Sequence, residues 1–64
     1  MGEKAYQFIY FYYKDGKRIP ILTGASRDLN SILFTSQKKS ILQDFSIKNG
    51  LFVWVDGTEF LVES

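Results

Sequence analysis

The chain has 64 residues, of which 45% are hydrophobic and 17% aromatic, and its formal net charge is +1. It contains no cysteine and no histidine, which excludes disulfides, a thiolate metal site and the usual general base of enzymes. A chain of this length forms one domain at most and buries only roughly 60% of its unfolded surface, so we keep a homodimer as an alternative to a monomer.

The first predicted element is a hairpin over residues 5–23. Its first strand, 5–13, is dense in tyrosine, phenylalanine and isoleucine, which favour a pleated, half-buried surface. Asp15-Gly16 follows this strand and is a strong signal for a two-residue hairpin turn. The return strand, 18–23, contains Pro20, which cannot donate a ladder hydrogen bond and therefore indicates a strand at a sheet edge.

The middle segment, 28–48, carries apolar residues at helical spacing at both of its ends, with a polar stretch between them. Ser26 or Asp28 can cap the start of a helix, and Asn49-Gly50 is a typical helix stop. Two arrangements fit this pattern. Either one helix spans the segment with a weak centre, or a helix starts near Ser36 and leaves a loop, a turn or a short strand before it. We favour the single helix.

A second hairpin is predicted over residues 51–63, where Asp56-Gly57 separates two apolar runs. A two-residue loop pairs Val55 with Thr58 and, continuing outward, Leu51 with Val62. Paired residues share a sheet face, and faces alternate along each strand. The almost purely aliphatic face, predicted to be the core side, carries Leu51, Val53, Val55, Thr58, Phe60 and Val62. The opposite face carries Phe52, Trp54, Glu59, Leu61 and Glu63.

The order of hairpin, helix and hairpin predicts an α+β fold for residues 1–64 as a single small domain. Its expected architecture is a two-layer ββαββ arrangement, in which a four-stranded sheet carries one helix on one face. A crossover through the helix would set the first and last strands side by side and parallel at the centre of the sheet. This is a β-grasp-like arrangement.

One helix leaves the other face of such a sheet open to solvent. The first strand is apolar on both faces, and we assign Ile9, Phe11 and Leu22 to the helix side. Large exposed aromatic surfaces are rare on small monomers, and Tyr and Trp are enriched at binding hot spots. The open face is therefore predicted to bind a partner through an aromatic set, Tyr6, Phe8, Tyr10, Tyr12, Phe52 and Trp54. If the face assignment is shifted by one residue, the tyrosines of the first strand are core residues instead.

These features predict a non-catalytic protein-interaction module or regulator, which binds a protein partner or a second copy of itself. An enzyme is not expected, because the chain lacks histidine and cysteine and is short for a closed pocket of substrate size. No cofactor and no metal are expected. No run approaches the roughly 18 apolar residues of a membrane span, and a domain of this size without disulfides is typical of the cytoplasm.

Two alternatives remain. Lys14, Lys17 and Arg18 form a basic turn, which together with the aromatic residues is compatible with binding of single-stranded nucleic acid. The net charge of +1 gives this alternative no global support. In the second alternative, the strand that contains Pro20, or another edge of the sheet, accepts a strand from a partner.

Overall fold

A computed structural model describes residues 4–63 of the chain. Over these residues the elements are β1 (Tyr6–Lys14), β2 (Lys17–Ser26), α1 (Leu29–Leu33), α2 (Lys38–Asp44), β3 (Leu51–Val55) and β4 (Thr58–Glu63). The strands form one sheet in the order β2-β1-β3-β4. The predicted α+β, ββαββ fold is confirmed. Of the predicted domain 1–64, residues 1–3 and 64 lie outside the described residues.

Both hairpins close through the predicted Asp-Gly turns. Backbone φ is 55° at Asp15 and 77° at Gly16, and it is 48° at Asp56 and 85° at Gly57. Positive φ at both central residues defines a type I′ turn, whose twist matches that of the flanking strands. The Asp-Gly sequence therefore sets the start of the register in each hairpin.

The pairing of β1 with β2 contains one β-bulge. Phe11 lies opposite Pro20, but Tyr10 lies opposite Leu22, so Ile21 is an extra residue on β2. A bulge of this kind changes the side to which the following residues of its strand point. As a result Leu22 lies on the same face as Tyr10. Pro20 lies on an edge strand, as predicted.

The second hairpin follows the predicted register except at its open end. The pairs from Val55–Thr58 to Phe52–Leu61 are confirmed. The last predicted pair is wrong, because a second bulge makes Val62 an extra residue and sets Leu51 opposite Glu63. Glu63 consequently turns to the helix side, where its carboxylate lies 3.0 Å from Nζ of Lys38.

The centre of the sheet differs from the expected β-grasp-like pairing. β1 pairs with β3, and the pairing is antiparallel, from Phe8–Val55 to Phe11–Phe52. The expected parallel pairing of β1 with β4 is wrong. The compositions of the two strands explain the difference, because β3 carries no charge whereas β4 carries Glu59 and Glu63. An edge position leaves these carboxylates partly exposed and able to pair with Arg18 and Lys38, whereas a central strand is flanked by protein on both sides.

The helical layer is one bent segment, in which residues 34–37 separate two short helices, α1 and α2. Asp28, one of the two predicted caps, accepts a hydrogen bond from the N–H of Asn30 at 3.0 Å, and α1 begins after it. In the polar centre, the N–H of Gln37 donates to Oγ1 of Thr35 at 3.3 Å, a local bond that competes with helical pairing. The predicted helix stop is wrong, because α2 ends at Asp44 and Ser46 takes a positive φ of 53°.

The face assignment of the first strand is wrong. Phe8 lies opposite Val55 and Tyr10 opposite Val53, and paired residues share a sheet face. Tyr10 is only 4% exposed, and its hydroxyl donates to the carbonyl oxygen of Ile32 at 2.7 Å. The helix side therefore carries Tyr6, Phe8, Tyr10 and Tyr12. Ile9 and Phe11 lie on the open face, whereas Leu22 lies on the helix side as predicted because of the bulge.

Candidate functional site

The candidate site is the sheet face opposite the helices. Ile9 pairs with Trp54, and Phe11 pairs with Phe52, which in turn pairs with Leu61. These pairings bring side chains of three strands onto one surface. We call this surface the open-face cluster, and it consists of Ile9, Phe11, Tyr13, Phe52, Trp54 and Leu61.

The centre of the open-face cluster is an aromatic group of three rings. Phe11 stacks on Phe52 with ring centroids 5.8 Å apart and an interplanar angle of 20°. Tyr13 meets both rings edge-on, at 5.6 Å from Phe11 and 5.2 Å from Phe52. Such geometries contribute beyond simple area burial. Phe11 is only 2% exposed although it lies on the face that the helices do not cover.

An ion pair that crosses the open face adds to this cover over Phe11. The guanidinium of Arg18 on β2 lies 2.8 Å from the carboxylate of Glu59 on β4. The hydroxyl of Tyr13 donates to the same carboxylate at 2.8 Å, and Nε of Arg18 donates to that hydroxyl at 3.3 Å. Cζ of Arg18 stands 5.2 Å from the centroid of the Phe11 ring, at cation–π distance. We call this arrangement the Arg18–Glu59 strap.

The strap holds the positive charge of Arg18 over the ring of Phe11. The hydrogen bond to Tyr13, with a smaller contribution from Glu59, raises the pKa of Arg18 above its ordinary value. Like any arginine guanidinium in a protein, that of Arg18 is charged at neutral pH. The side chain of Arg18 is 58% exposed and that of Glu59 is 31% exposed, so dissolved salt screens their attraction. The strap is thus a solvated cover over Phe11 rather than a buried ion pair.

Beside the strap, part of the open-face cluster remains accessible. Leu61 is 57% exposed, and Ile9, Phe52 and Trp54 are half-buried. A shallow cavity of about 270 Å³ lies next to them, lined by Ile9, Phe11, Arg18, Pro20 and Trp54. Pockets for small ligands are usually larger and enclose most of the ligand, so this surface suits a side chain presented by a larger molecule.

The structure divides the predicted aromatic binding set between two faces. Phe52 and Trp54 lie on the open face, as predicted. The four β1 residues of the set, Tyr6, Phe8, Tyr10 and Tyr12, lie on the helix side instead. Sequence reasoning missed the other half of the site, Ile9, Phe11 and Tyr13. It also missed the Arg18–Glu59 strap, although the type I′ turn register alone places Arg18 directly opposite Tyr13.

Only part of the predicted basic turn, Lys14, Lys17 and Arg18, is available to bind a nucleic acid. Lys14 and Lys17 lie opposite each other and are exposed. Arg18 is engaged with Glu59. On the helix side of the tip, a cleft of about 320 Å³ brings Tyr12 and Lys14 together with Phe45 and Lys48 from the segment that follows α2. The basic turn therefore borders a cleft that the sequence did not predict.

Residues 4–63, the part of the chain that the structure describes, hold neither a metal-binding cluster nor a membrane-spanning helix. In that part of the chain no three aspartate or glutamate residues lie close enough together to hold a metal ion. No helix within residues 4–63 is long and apolar enough to cross a membrane. Comparison with protein-family models, with curated proteins and with solved structures found no match for this chain.

Proposed function

We propose that this chain is a non-catalytic protein-interaction module that binds a protein partner on the open-face cluster. The observation that carries this proposal is the group formed by Leu61, which is 57% exposed, and its half-buried neighbours Phe52 and Trp54. None of the described helices covers this face. Exposed apolar groups with a polar border are typical of protein-binding surfaces.

The composition of the face supports a protein as the partner. Tryptophan, tyrosine and arginine are the residues most enriched at binding hot spots, and all three occur here as Trp54, Tyr13 and Arg18. The aromatic rings are held by mutual contacts, so little conformational freedom is lost when a partner binds. Arg18 and Glu59 supply charges of both signs at the border, which favours a partner that presents complementary charges.

A catalytic role has less support from the same residues. The chain has neither histidine nor cysteine, and the cavity beside Trp54 is shallow. Binding without chemistry therefore accounts best for a face that is aromatic and carries only this shallow cavity. We further propose that the protein acts in the cytoplasm, because a chain of this size without cysteine needs no oxidising compartment.

The proposal is tested with two variants that each remove an exposed apolar side chain. Leu61→Ser removes one from the open face, and Phe45→Ser removes one that is 48% exposed in the helix layer. Each variant and the wild type are used as immobilised bait in a cell extract, after circular dichroism has shown equal folding. We expect a partner to be retained by the wild type and by Phe45→Ser but not by Leu61→Ser. Equal retention by all three baits would contradict the proposal.

A purified partner allows a quantitative test at Trp54, the single tryptophan of the chain. Binding should shift the fluorescence of Trp54, because the partner removes water from the indole. Trp54→Ala should weaken the affinity by about tenfold or more, which corresponds to the loss of one hot spot. A partner that binds with full affinity to Trp54→Ala would place the interface elsewhere.

A second candidate function is the binding of single-stranded nucleic acid at the hairpin tip. It is favoured by the cleft in which Tyr12 and Phe45 lie beside Lys14 and Lys48, since aromatic rings and cations together form stacking surfaces for nucleotides. Titration with a labelled oligonucleotide should then show affinity that falls as salt rises and that falls in Lys14→Ala. Lys39→Ala, at an exposed position on α2, is the matched control. Equal binding by both variants would exclude this site.

A further inference from the structure

The two outer edges of the sheet differ in how well they are protected against another strand. β4 forms one edge and is short, with Glu59 and Glu63 along it and a bulge at Val62. Charges and bulges on an edge strand are the usual obstacles to pairing with a further strand. β4 is therefore a poorly suited edge for association.

The other edge, β2, is protected in its first half only. That half carries Lys17, Arg18 and Pro20, and it ends at the bulge formed by Ile21. The second half, residues 22–26, has the sequence Leu-Thr-Gly-Ala-Ser and lacks charge, proline and bulge. It pairs in regular register with β1 on its inner side. Within the described chain, no backbone hydrogen bond from outside the sheet reaches residues 22–26.

Exposed apolar side chains lie beside this unprotected edge. Leu22 is 46% exposed and Phe34, in the turn after α1, is 71% exposed. Both line a groove of about 480 Å³ on the helix side, whose wall also includes Tyr10 and Ser26. The groove has a mixed lining, with Leu22 and Phe34 as its exposed apolar side chains beside polar residues such as Ser26. A regular strand edge next to such a groove is an arrangement to which an extended chain binds by strand addition, with its side chains entering the groove.

We propose that residues 22–26 of β2 pair antiparallel with the same residues of a second copy of this chain, with Gly24 near the two-fold axis. In this register Leu22 lies opposite Ser26 of the second copy, and Thr23 lies opposite Ala25. Each protomer thereby satisfies the free backbone groups of the other. The result is a continuous eight-stranded sheet, since each copy contributes the four strands of its own sheet.

The side chains near the edge fit a second copy. Ser26 and Phe34 line the same groove, so Leu22 of the second copy, placed opposite Ser26, reaches the exposed ring of Phe34. Leu22 and Phe34, which are both exposed in the monomer, thus cover each other at two symmetry-related places in the dimer. The antiparallel register also keeps the Lys17 side chains at opposite ends of the dimer, whereas a parallel register would set them side by side.

The bulge and the helix limit the association to a dimer. Pairing stops at Ile21 at one end and at the start of α1 at the other. The interface uses the same patch on both copies, which closes after two subunits. The inference does not rest on the proposed function, because residues 22–26 lie at an edge and leave the open-face cluster of each copy free.

The test places charged side chains at positions that face each other only in the proposed register. Thr23 and Ala25 are exposed residues on the open side of β2, so lysine at these positions does not enter the core. The double substitution Thr23→Lys with Ala25→Lys places lysine opposite lysine twice in the proposed dimer. The double substitution Thr23→Lys with Ala25→Glu places lysine opposite glutamate twice. Like charges directly opposite each other disfavour pairing, whereas opposite charges favour it.

The measurement is sedimentation equilibrium from micromolar to millimolar concentration, with circular dichroism to show that each variant is folded. We expect the wild type to dimerise, the lysine–lysine variant to have a dissociation constant raised by at least about tenfold, and the lysine–glutamate variant to recover the dimer. Leu61→Ser should dimerise like the wild type. A monomeric wild type, a lysine–lysine variant that still dimerises, or a lysine–glutamate variant that stays monomeric would each overturn the proposal.

Discussion

Arg18 and Glu59, at the two outer strands of the sheet, meet at 2.8 Å above the ring of Phe11. The pair joins β2 to β4 across both central strands. It thereby gives the open face a small aromatic centre of its own, in addition to the core beneath the helices. Phe11 lies on a face that none of the described helices covers, yet it is only 2% exposed beneath this pair and between the rings of Tyr13 and Phe52.

The substitution Glu59→Gln should lower the stability of the fold slightly, because it removes the charge that holds Arg18 and accepts from Tyr13. The loss should be larger at low salt than at high salt, since both side chains are solvated. Urea denaturation at two salt concentrations measures this. Asp56→Asn is the control, because it removes one negative charge while Asn-Gly remains a favoured type I′ turn. A loss of stability that does not depend on salt would contradict the role of the ion pair.

The substitution Tyr10→Phe should destabilise the fold by about 1–3 kcal/mol, because it leaves the buried carbonyl oxygen of Ile32 without its hydrogen bond. Tyr12→Phe is the matched control. Tyr12 is half-buried on the same face, and its hydroxyl has no hydrogen-bond partner among the described residues. Chemical denaturation of both variants measures the difference. Equal free energies of unfolding for the two variants would show that Tyr10 does not bind the helix layer as described.

Stability should also fall at high pH, and Tyr10 should account for part of the fall. Burial raises the pKa of the Tyr10 hydroxyl, and the neighbouring Thr35 side chain offsets part of this effect. The folded state therefore holds the proton more tightly than the unfolded state, whose tyrosine pKa is about 10. The contribution is complete below that pH and is lost as the pH rises through the folded pKa. Unfolding free energies measured between neutral pH and alkaline pH should decline less steeply in Tyr10→Phe than in Tyr12→Phe.

The substitution Gly24→Ala should destabilise the fold by about 1–3 kcal/mol, the usual range for overpacking. A Cβ at this position would stand 2.8 Å from Cζ of Phe8, so the ring would have to move. Phe8→Leu removes the clashing atom, and the double variant should therefore lose less stability than the sum of the two single variants. Thermal denaturation of the wild type, the two single variants and the double variant measures these losses of stability. If the losses of the two single variants add up to the loss of the double variant, the contact between Gly24 and Phe8 is contradicted.

The sequence predicted the second hairpin well, because its turn and its two faces are both well defined. Asp56-Gly57 sets the register, and the valines of β3 mark the core face. The prediction failed at Leu51, where the bulge at Val62 inserts one residue. Bulges depend on how the strand end packs against other elements. In this case Glu63 gains the ion pair with Lys38, a contact between distant segments that no local pattern contains.

The first hairpin could not be resolved in the same way. β1 carries large apolar residues on both faces. The alternation along the strand therefore shows which residues share a face, but it does not show which face packs against the core. The choice depends on pairing with β3, which sets Phe8 and Tyr10 against the core valines. The hydrogen bond from Tyr10 to Ile32 then fixes it. Both determinants are long-range contacts.

The candidate site was predicted in part for the same reasons. Phe52 and Trp54 were placed correctly from the second hairpin alone. Phe11 and Tyr13 were missed because the faces of β1 were exchanged. Glu59 was recognised only as a residue of the wetter face, since its partner Arg18 lies on a strand that is three positions away in the sheet.

The central claim, that the open-face cluster is the binding surface, is tested most directly by site-specific photo-crosslinking in living cells. A photoreactive amino acid replaces Leu61 in one variant and Phe45 in another, two exposed apolar positions on opposite layers. We predict a discrete crosslinked protein from position 61 and none from position 45. A partner that crosslinks from position 45 and not from position 61 would contradict the claim and place the interface in the helix layer.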